Sequence, residues 1–276
     1  MSVRDDAIDY LTRVGRTADP DIDIATTAVR LAAALAAPAS FAPYDAHLAA
    51  LVRSAAERSG AARSLEARIG VLADVMTGDF GYAGDSETYD DLANADLMRV
   101  IDRRRGLPVA LGILWLHLAR ALGWTGEGLN FPGHFLVRIE ADGVRAIVDP
   151  FNGGAVLAAA DLRELLKATA GEGAELTAEH YAAVGTRDVL LRLQNNIKLR
   201  HMNAQRFAEA AAVIDTMLLI APDAPPLLRE AGIVNAWLGN LTRAIGSLER
   251  FLASAPRDAA AAEADQILRQ LRRKLN

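Results

Sequence analysis

The sequence predicts an α+β fold, in which a helical N-terminal region leads into a buried helix and a small antiparallel sheet, followed by helical hairpins. Three observations predict this arrangement. Apolar residues recur at helical spacing through roughly the first 75 residues. Two short β-rich segments flank a turn near the middle of the chain, and the C-terminal part repeats every 34 residues. We expect one domain over residues 1–185 and a second, helical domain over residues 186–276.

The composition excludes several classes of function. Of 276 residues, 51% are hydrophobic and 24% are charged, which is typical of a globular protein. The formal charge of −5 provides no basic field for nucleic acid. The chain has no cysteine, which excludes disulfides, thiolate metal sites and cysteine nucleophiles. The five histidines form no His-x-x-x-His pair, so we expect neither a metal nor another cofactor.

The sequence also lacks the features that direct a chain to a membrane. No stretch approaches the roughly 18 consecutive apolar residues of a membrane span. The first residues, MSVRDDAIDYLTRVGR, carry acidic side chains early and have no apolar centre of signal-peptide length. We therefore expect a cytoplasmic protein without membrane association.

The N-terminal region is predicted to be helical because apolar residues recur at spacings of three and four. Ile24, Ala28, Leu31 and Leu35 form one such stripe. The stretch over residues 77–85 is rich in Gly and Asp, which predicts a loop. The expected helices cover residues 22–36, 44–58, 65–76 and 92–104, and the expected loop covers residues 77–85.

The most apolar helix of the chain is predicted over residues 109–122, directly after Gly106-Leu107-Pro108. Proline is suited to the first turn of a helix, where its missing N–H breaks no hydrogen bond. Apolar side chains cover nearly the whole circumference of this helix, so we expect it to be buried.

A β-hairpin is predicted next, with strands over residues 135–139 and 144–148 around the turn Ala141-Asp142-Gly143. His134 precedes the first strand and Asp149 follows the second. An antiparallel hairpin brings these two ends together, so the carboxylate can fix the tautomer of the imidazole. The pair is either the base and its orienting acid from a catalytic triad, or two caps of the hairpin ends.

The nucleophile of such a triad is missing. A nucleophile is activated at a helix N-terminus by the helix dipole, and the buried helix begins at the expected place. Its first residue, however, is Pro108, and no Ser, Thr or Lys occurs between Arg105 and Arg120 to replace it.

The C-terminal part carries an internal repeat. Identical or similar residues recur at a spacing of 34, which is the period of the helix pairs in tetratricopeptide repeats. Two copies and a last helix over residues 259–275 are expected to pack onto the preceding domain, because fewer than about three repeats rarely stand alone. The pairs are Ala210 and Ala244, Ile214 and Leu248, Leu218 and Leu252, and Pro222 and Pro256.

Three runs of residues resemble the SirB family of bacterial proteins: Arg104-Arg105-Gly106-Leu107-Pro108, Phe131-Pro132-Gly133-His134-Phe135-Leu136-Val137-Arg138 and Asp149-Pro150-Phe151-Asn152-Gly153-Gly154. The resemblance implies a transglutaminase/papain-like core followed by tetratricopeptide-like hairpins, over roughly residues 20–260. It places Pro108 at the position of the superfamily's nucleophilic cysteine, His134 at that of the base and Asp149 at that of the acid.

These features favour a non-catalytic module that binds a protein or peptide or has a regulatory role. The alternative is a hydrolase-type enzyme in which His134 and Asp149 activate water; a third possibility is a scaffold without a small-molecule site. The arginines before the buried helix either bind an anionic group of a partner or pair with acids on neighbouring helices. Asparagines of the repeats are candidates to bind an extended backbone. The candidate ligand-binding residues are Arg104, Arg105, Phe135, Asn195, Asn196 and Asn235.

Overall fold

The computed structural model describes residues 2–254 and 258–275 and confirms the α+β fold. The predicted N-terminal helices are present, preceded by one more helix that the Ser2–Asp5 capping box initiates. The loop predicted to begin at residue 77 begins later, because Asp74–Asp79 form a π-helical turn. The Thr77 hydroxyl donates to the Ala73 carbonyl at 2.7 Å and carries the helix onward. The helices are α1 (Val3–Val14), α2 (Ile24–Leu35), α3 (Ala42–Ser59) and α4 (Leu65–Ala73).

The segment before the buried helix is shorter and more irregular than predicted. A 3-10 turn over Leu92–Asn94 precedes α5 (Leu97–Arg103), which Arg104 ends in the left-handed conformation at φ 58°. The short strand β1 (Ala83–Gly84), which lies before this turn, pairs in parallel with β2 (Arg105–Gly106), and β2 leads directly into the next helix.

The predicted buried helix is α6 (Pro108–Ala121). Every residue from Pro108 to Leu116 is buried. Gly154 packs against this helix with φ 86°, and a Cβ atom there would lie 2.3 Å from the Trp115 ring. Only glycine meets both requirements, since the left-handed backbone is costly for other residues and the space is closed.

A five-stranded antiparallel sheet packs against α6, with strand order β6-β5-β4-β3-β7. The predicted hairpin is its centre and pairs Val137 with Val148 and Ala141 with Val144. Its first strand begins at Val137, two residues later than predicted. The other three strands and one helix were not predicted. The elements are β3 (Thr125–Leu129), β4 (Val137–Ala141), β5 (Val144–Asp149), β6 (Ala155–Leu157), α7 (Ala159–Ala170) and β7 (Ala183–Val184).

The C-terminal helices form the predicted hairpins. Gly232 lies against Leu248, where a Cβ atom would be 2.5 Å from the leucine side chain, which explains the small residue at this repeat position. Pro256, the second proline of the repeat, lies outside the described residues. The first two repeat helices share the main hydrophobic core with the preceding domain, through residues such as Leu193 and Met217. The helices are α8 (Thr186–Asn203), α9 (Phe207–Ile220), α10 (Pro225–Trp237), α11 (Leu241–Ser254) and α12 (Ala259–Leu275).

Candidate functional site

His134 and Asp149 are joined at the end of the β4–β5 hairpin. His134 Nε2 lies 2.9 Å from Asp149 Oδ1, and the two side chains are 11% and 3% exposed. The imidazole also packs edge-on against Phe151, with ring centroids 5.9 Å apart. The sequence therefore predicted this contact correctly from the two ends of the hairpin.

Asp149 has two further donors, which show that it is also a cap. Its Oδ1 accepts from the Phe151 N–H at 3.0 Å and its Oδ2 from the Asn152 amide at 2.7 Å, so that it initiates the turn Pro150–Asn152. Burial acts to raise the pKa of Asp149, but His134, Asn152 and the Phe151 N–H outweigh it and hold the pKa below its ordinary value of 3.8. Asp149 is thus an ionised carboxylate with a structural and an orienting role.

The contact with Asp149 fixes the tautomer of His134. The carboxylate accepts, so Nε2 carries a proton, and in the neutral tautomer Nδ1 is the acceptor. Among the described residues none donates to Nδ1, and this atom is not sealed from solvent. In the neutral tautomer, Nδ1 is therefore an acceptor without a partner among the described residues.

His134 lines a pocket of about 150 Å³. Pro108 forms part of the wall at the start of α6, the position that the SirB resemblance implies for the nucleophile. Its ring carries no nucleophilic atom, and none of the lining residues has a thiol or an aliphatic hydroxyl. The pocket is lined by Tyr89, Leu107, Pro108, Val109, Gly133, His134, Phe135, Arg192 and Asn196.

Two lining residues come from the first repeat helix. Arg192 donates from Nη2 to the carbonyls of Phe131 at 2.6 Å and His134 at 2.5 Å, and its guanidinium lies 5.6 Å from the centre of the Phe135 ring. Asn196 donates to the Arg192 carbonyl at 2.9 Å. Arg192 was missed by the sequence reasoning because the helical pattern does not show which surface of the first domain a helix side chain meets.

The structure does not bring Arg104 into this pocket. Arg104 donates to the Tyr82 hydroxyl and to His47 Nε2, both at 3.1 Å, and to the Ile101 carbonyl. Burial, followed by the Arg104 charge, lowers the pKa of His47 to about 4, and burial raises the pKa of Tyr82 to about 12. Arg104 thus fixes the segment before α6, while the neighbouring Arg105 is exposed.

Of the other proposed ligand-binding residues, Phe135 and Asn196 line the pocket. Phe135 is only 1% exposed and is mainly a core residue. Asn195 is half-buried on α8 and does not line the pocket. Asn235 is 3% exposed; it donates to the Ala231 carbonyl and accepts from Asn240, so its amide is bound within α10 and the turn that follows rather than in an open groove.

Within residues 2–254 and 258–275, no three His, Asp or Glu side chains converge in a way that can hold a metal ion. No helix in the same ranges is long and apolar enough to cross a membrane.

Comparison with known proteins identifies both parts of the chain. A family model described as "Transglutaminase-like superfamily" matches residues 42–195, and one described as "Tetratricopeptide repeat" matches residues 197–272.

Several bacterial proteins are similar to this chain over more than half of its length. A UPF0162 protein of Xylella fastidiosa is 35% identical over 62% of this chain and 62% of its own length, so the match spans less than two thirds of that relative. A UPF0162 protein of Vibrio cholerae is 31% identical over 72% of this chain and 74% of its own length. The protein SirB1 of Salmonella typhimurium is 27% identical over 78% and 80%. The chain therefore belongs to the transglutaminase-like superfamily, within its SirB and UPF0162 group of bacterial proteins.

Proposed function

We propose that this chain is a non-catalytic, cytoplasmic module that binds a protein partner through the pocket at His134 and serves a regulatory role. The observation that carries the proposal is that the wall of an intact His134–Asp149 site contains Pro108 at the start of α6. A proline cannot form the acyl intermediate of a transglutaminase or papain-type reaction, because it has no nucleophilic atom. The orienting and binding parts of the site remain.

The position of the pocket supports a macromolecular partner. Pro108 and His134 come from the first domain, whereas Arg192 and Asn196 come from the first repeat helix. A segment bound there contacts both parts of the chain. Concave, solvent-facing clefts between packed elements are common binding sites.

The repeat unit offers a second contact surface. Trp237 and Leu199 are 60% and 54% exposed and line a largely apolar groove of about 220 Å³ between α8 and α10. The buried Lys198 and its partner Glu230 lie in the same groove. Tetratricopeptide repeats generally bind other proteins on such surfaces, which favours a protein partner.

Site-directed photo-crosslinking tests this function. A photoreactive amino acid at Tyr89, on the rim of the pocket, is expected to capture a specific partner in living cells. The same amino acid at Val144, which is exposed at the far end of the hairpin, is the matched control. His134→Ala should weaken capture from position 89. Equal capture from both positions, or capture that His134→Ala leaves unchanged, would contradict the assignment of the pocket.

A second candidate function is supported by the free Nδ1 of His134. The pocket has room for several water molecules at about 30 Å³ each, and an oriented histidine can activate water without a protein nucleophile. Hydrolysis of an activated ester is then expected to fall by ~10²–10⁴-fold in His134→Gln. Unchanged hydrolysis excludes this candidate.

A further inference from the structure

We propose, on the basis of the binding function proposed above, that the pocket recognises a carboxylate group and that Arg192 is the residue that binds it. The carboxylate is either the free C-terminus of a peptide or an acidic side chain. The proposal rests on the hydrogen-bond partners of Arg192, on the charge of the pocket wall and on its size.

Arg192 is a half-buried cation without an acidic partner among the described residues. No carboxylate within the described residues lies within ion-pair distance of its guanidinium, whereas the half-buried Arg138 pairs with Glu127 and Arg200 with Asp90. Burial lowers the pKa of Arg192, because the charged form loses solvation. A half-buried charge of this kind is costly unless a counter-charge compensates it. The ring of Phe135 and two carbonyls supply part of this compensation.

Much of the hydrogen-bonding capacity of Arg192 is unused. Both bonds to the Phe131 and His134 carbonyls use Nη2. Nε and Nη1 have no acceptor among the described residues and are not sealed from solvent. A guanidinium with a fixed Nη2 and free Nε–H and Nη1–H groups is already oriented for an incoming carboxylate.

The rest of the wall adds donors and no negative charge. None of the lining residues is Asp or Glu, and Asp149 lies behind His134 with its oxygens occupied. The N–H groups of Val109 and Ala110 precede the first helical bond of α6, from Leu111 to Leu107, and Leu107 supplies no side-chain cap. These groups add a positive potential to a wall that Arg192 already makes cationic.

The size and charge of the pocket favour a carboxylate over larger anions. A volume of about 150 Å³ admits a carboxylate with a short aliphatic stem and excludes a nucleotide. One formal cation supported by neutral donors balances a monoanion, whereas a phosphate carries ~1.5–2 charges and is best bound by a cluster of arginines.

The test is a titration of the full-length protein monitored by NMR of its five histidine side chains, with the His134 signal assigned from His134→Gln. Sodium acetate is compared with neutral acetamide at constant ionic strength. Acetate is expected to shift the His134 signal saturably, and acetamide is expected to leave it in place. Inorganic phosphate should bind more weakly than acetate; tighter binding of phosphate would overturn the carboxylate assignment.

Arg187 is the matched control variant. It lies on the same helix and also donates from Nη2 to two carbonyls of the first domain, those of Val14 and Thr17, but it does not line the pocket. Arg192→Gln is expected to weaken acetate binding at least about tenfold, as expected for loss of a charge-assisted hydrogen bond, and Arg187→Gln to leave it unchanged. If Arg192→Gln fails to fold, Arg192→Lys keeps the charge without the planar fork and should still bind several-fold more weakly. Unchanged affinity in a folded Arg192 variant overturns the proposal.

Two peptide titrations identify the source of the carboxylate. A tripeptide with a free C-terminus is compared with an amidated tripeptide that contains an internal aspartate, and one of the two is expected to bind more tightly than acetate. If no carboxylate binds but the photoreactive residue at position 89 still crosslinks a partner, carboxylate recognition alone is refuted. Binding of acetate without any crosslinked protein refutes the protein-binding function alone.

Discussion

Gly112 in α6 lies so close to Phe135 that a Cβ atom on the glycine would be 2.4 Å from the phenyl ring. Phe135 follows His134 directly and lines the pocket from the core side. On its other side, a Cβ atom on Gly128 in β3 would lie 2.6 Å from the same ring. The two glycines therefore hold the ring between the buried helix and the sheet, and this ring in turn supports the residues of the site.

Gly112→Ala is expected to destabilise the protein by ~1–3 kcal/mol, because the added methyl group forces the Phe135 ring to move in a closed core. Gly70→Ala is the control: Gly70 also lies within a helix, and a Cβ atom there meets nothing within 4 Å. That substitution should stabilise the protein by up to ~1 kcal/mol. Urea denaturation of both variants measures the difference, and equal effects would show that the ring is free to shift.

Asp149→Ala is expected to cost ~1–3 kcal/mol, because it leaves three donors without their acceptor, two of them on half-buried residues. These are His134 Nε2–H, the Phe151 N–H and the Asn152 amide. His134→Ala removes one of these contacts and should cost less. A comparison of free energies of unfolding decides between a mainly structural and a mainly functional role of the pair; similar, small losses in both variants would indicate a functional role.

The acid limb of the stability curve provides a further test of Asp149. Its folded pKa lies below 3.8, so its stabilising contribution is complete above that pH and is lost as the pH falls through the folded pKa. The wild-type protein should therefore lose more stability than Asp149→Ala in this acidic range. Parallel curves for the two proteins would show that the carboxylate has an ordinary pKa.

His47 is expected to make stability depend on pH in a different window. Its folded pKa of about 4 lies below the ordinary 6.5, so the unfolded chain binds more protons between these values and stability rises with pH there. The slope per pH unit should stay well below the limit of about 1.36 kcal/mol, because the ring is only half-buried. His47→Gln should flatten this slope in denaturation curves. His117 and His201, whose pKa values burial also lowers, account for a residual slope.

Pro108→Cys is expected to create a reactive thiol. The new side chain would occupy the first turn of α6 in the pocket wall that His134 also lines, and both the helix N-terminus and the imidazole lower a thiol pKa from its ordinary value of about 8.5. The chain has no other cysteine, so the pH dependence of alkylation by iodoacetamide reports this thiol alone. A pKa of 8.5 or higher would contradict the placement of the nucleophile position.

The sequence predicts those parts of the site that are local in the chain. The contact between His134 and Asp149 follows from the hairpin, because antiparallel pairing brings its two ends together. Strand β3 escapes prediction since its sequence, Thr-Gly-Glu-Gly-Leu, contains two glycines, which have a low β propensity. Only the pairing with β4 and β7 makes it a strand.

Arg192 and Asn235 show the limit of helical periodicity. Arg192 reaches the carbonyl of His134 across 58 residues of sequence, and no local pattern encodes that contact. The sequence makes Asn235 a candidate to hydrogen-bond an extended backbone, but the packing of α10 buries it. Both outcomes depend on how the repeat helices pack, which composition and spacing do not determine.

The two bonds from Arg192 to the first domain have a consequence for how this architecture is inherited. One wall of the pocket is formed by α8, so a chain cut before Thr186 loses Arg192 and Asn196 together with core residues such as Leu193. A segment that ends before α8 therefore cannot be transferred to another protein with its pocket closed. Any recombination that preserves the pocket must carry the first repeat helix with it.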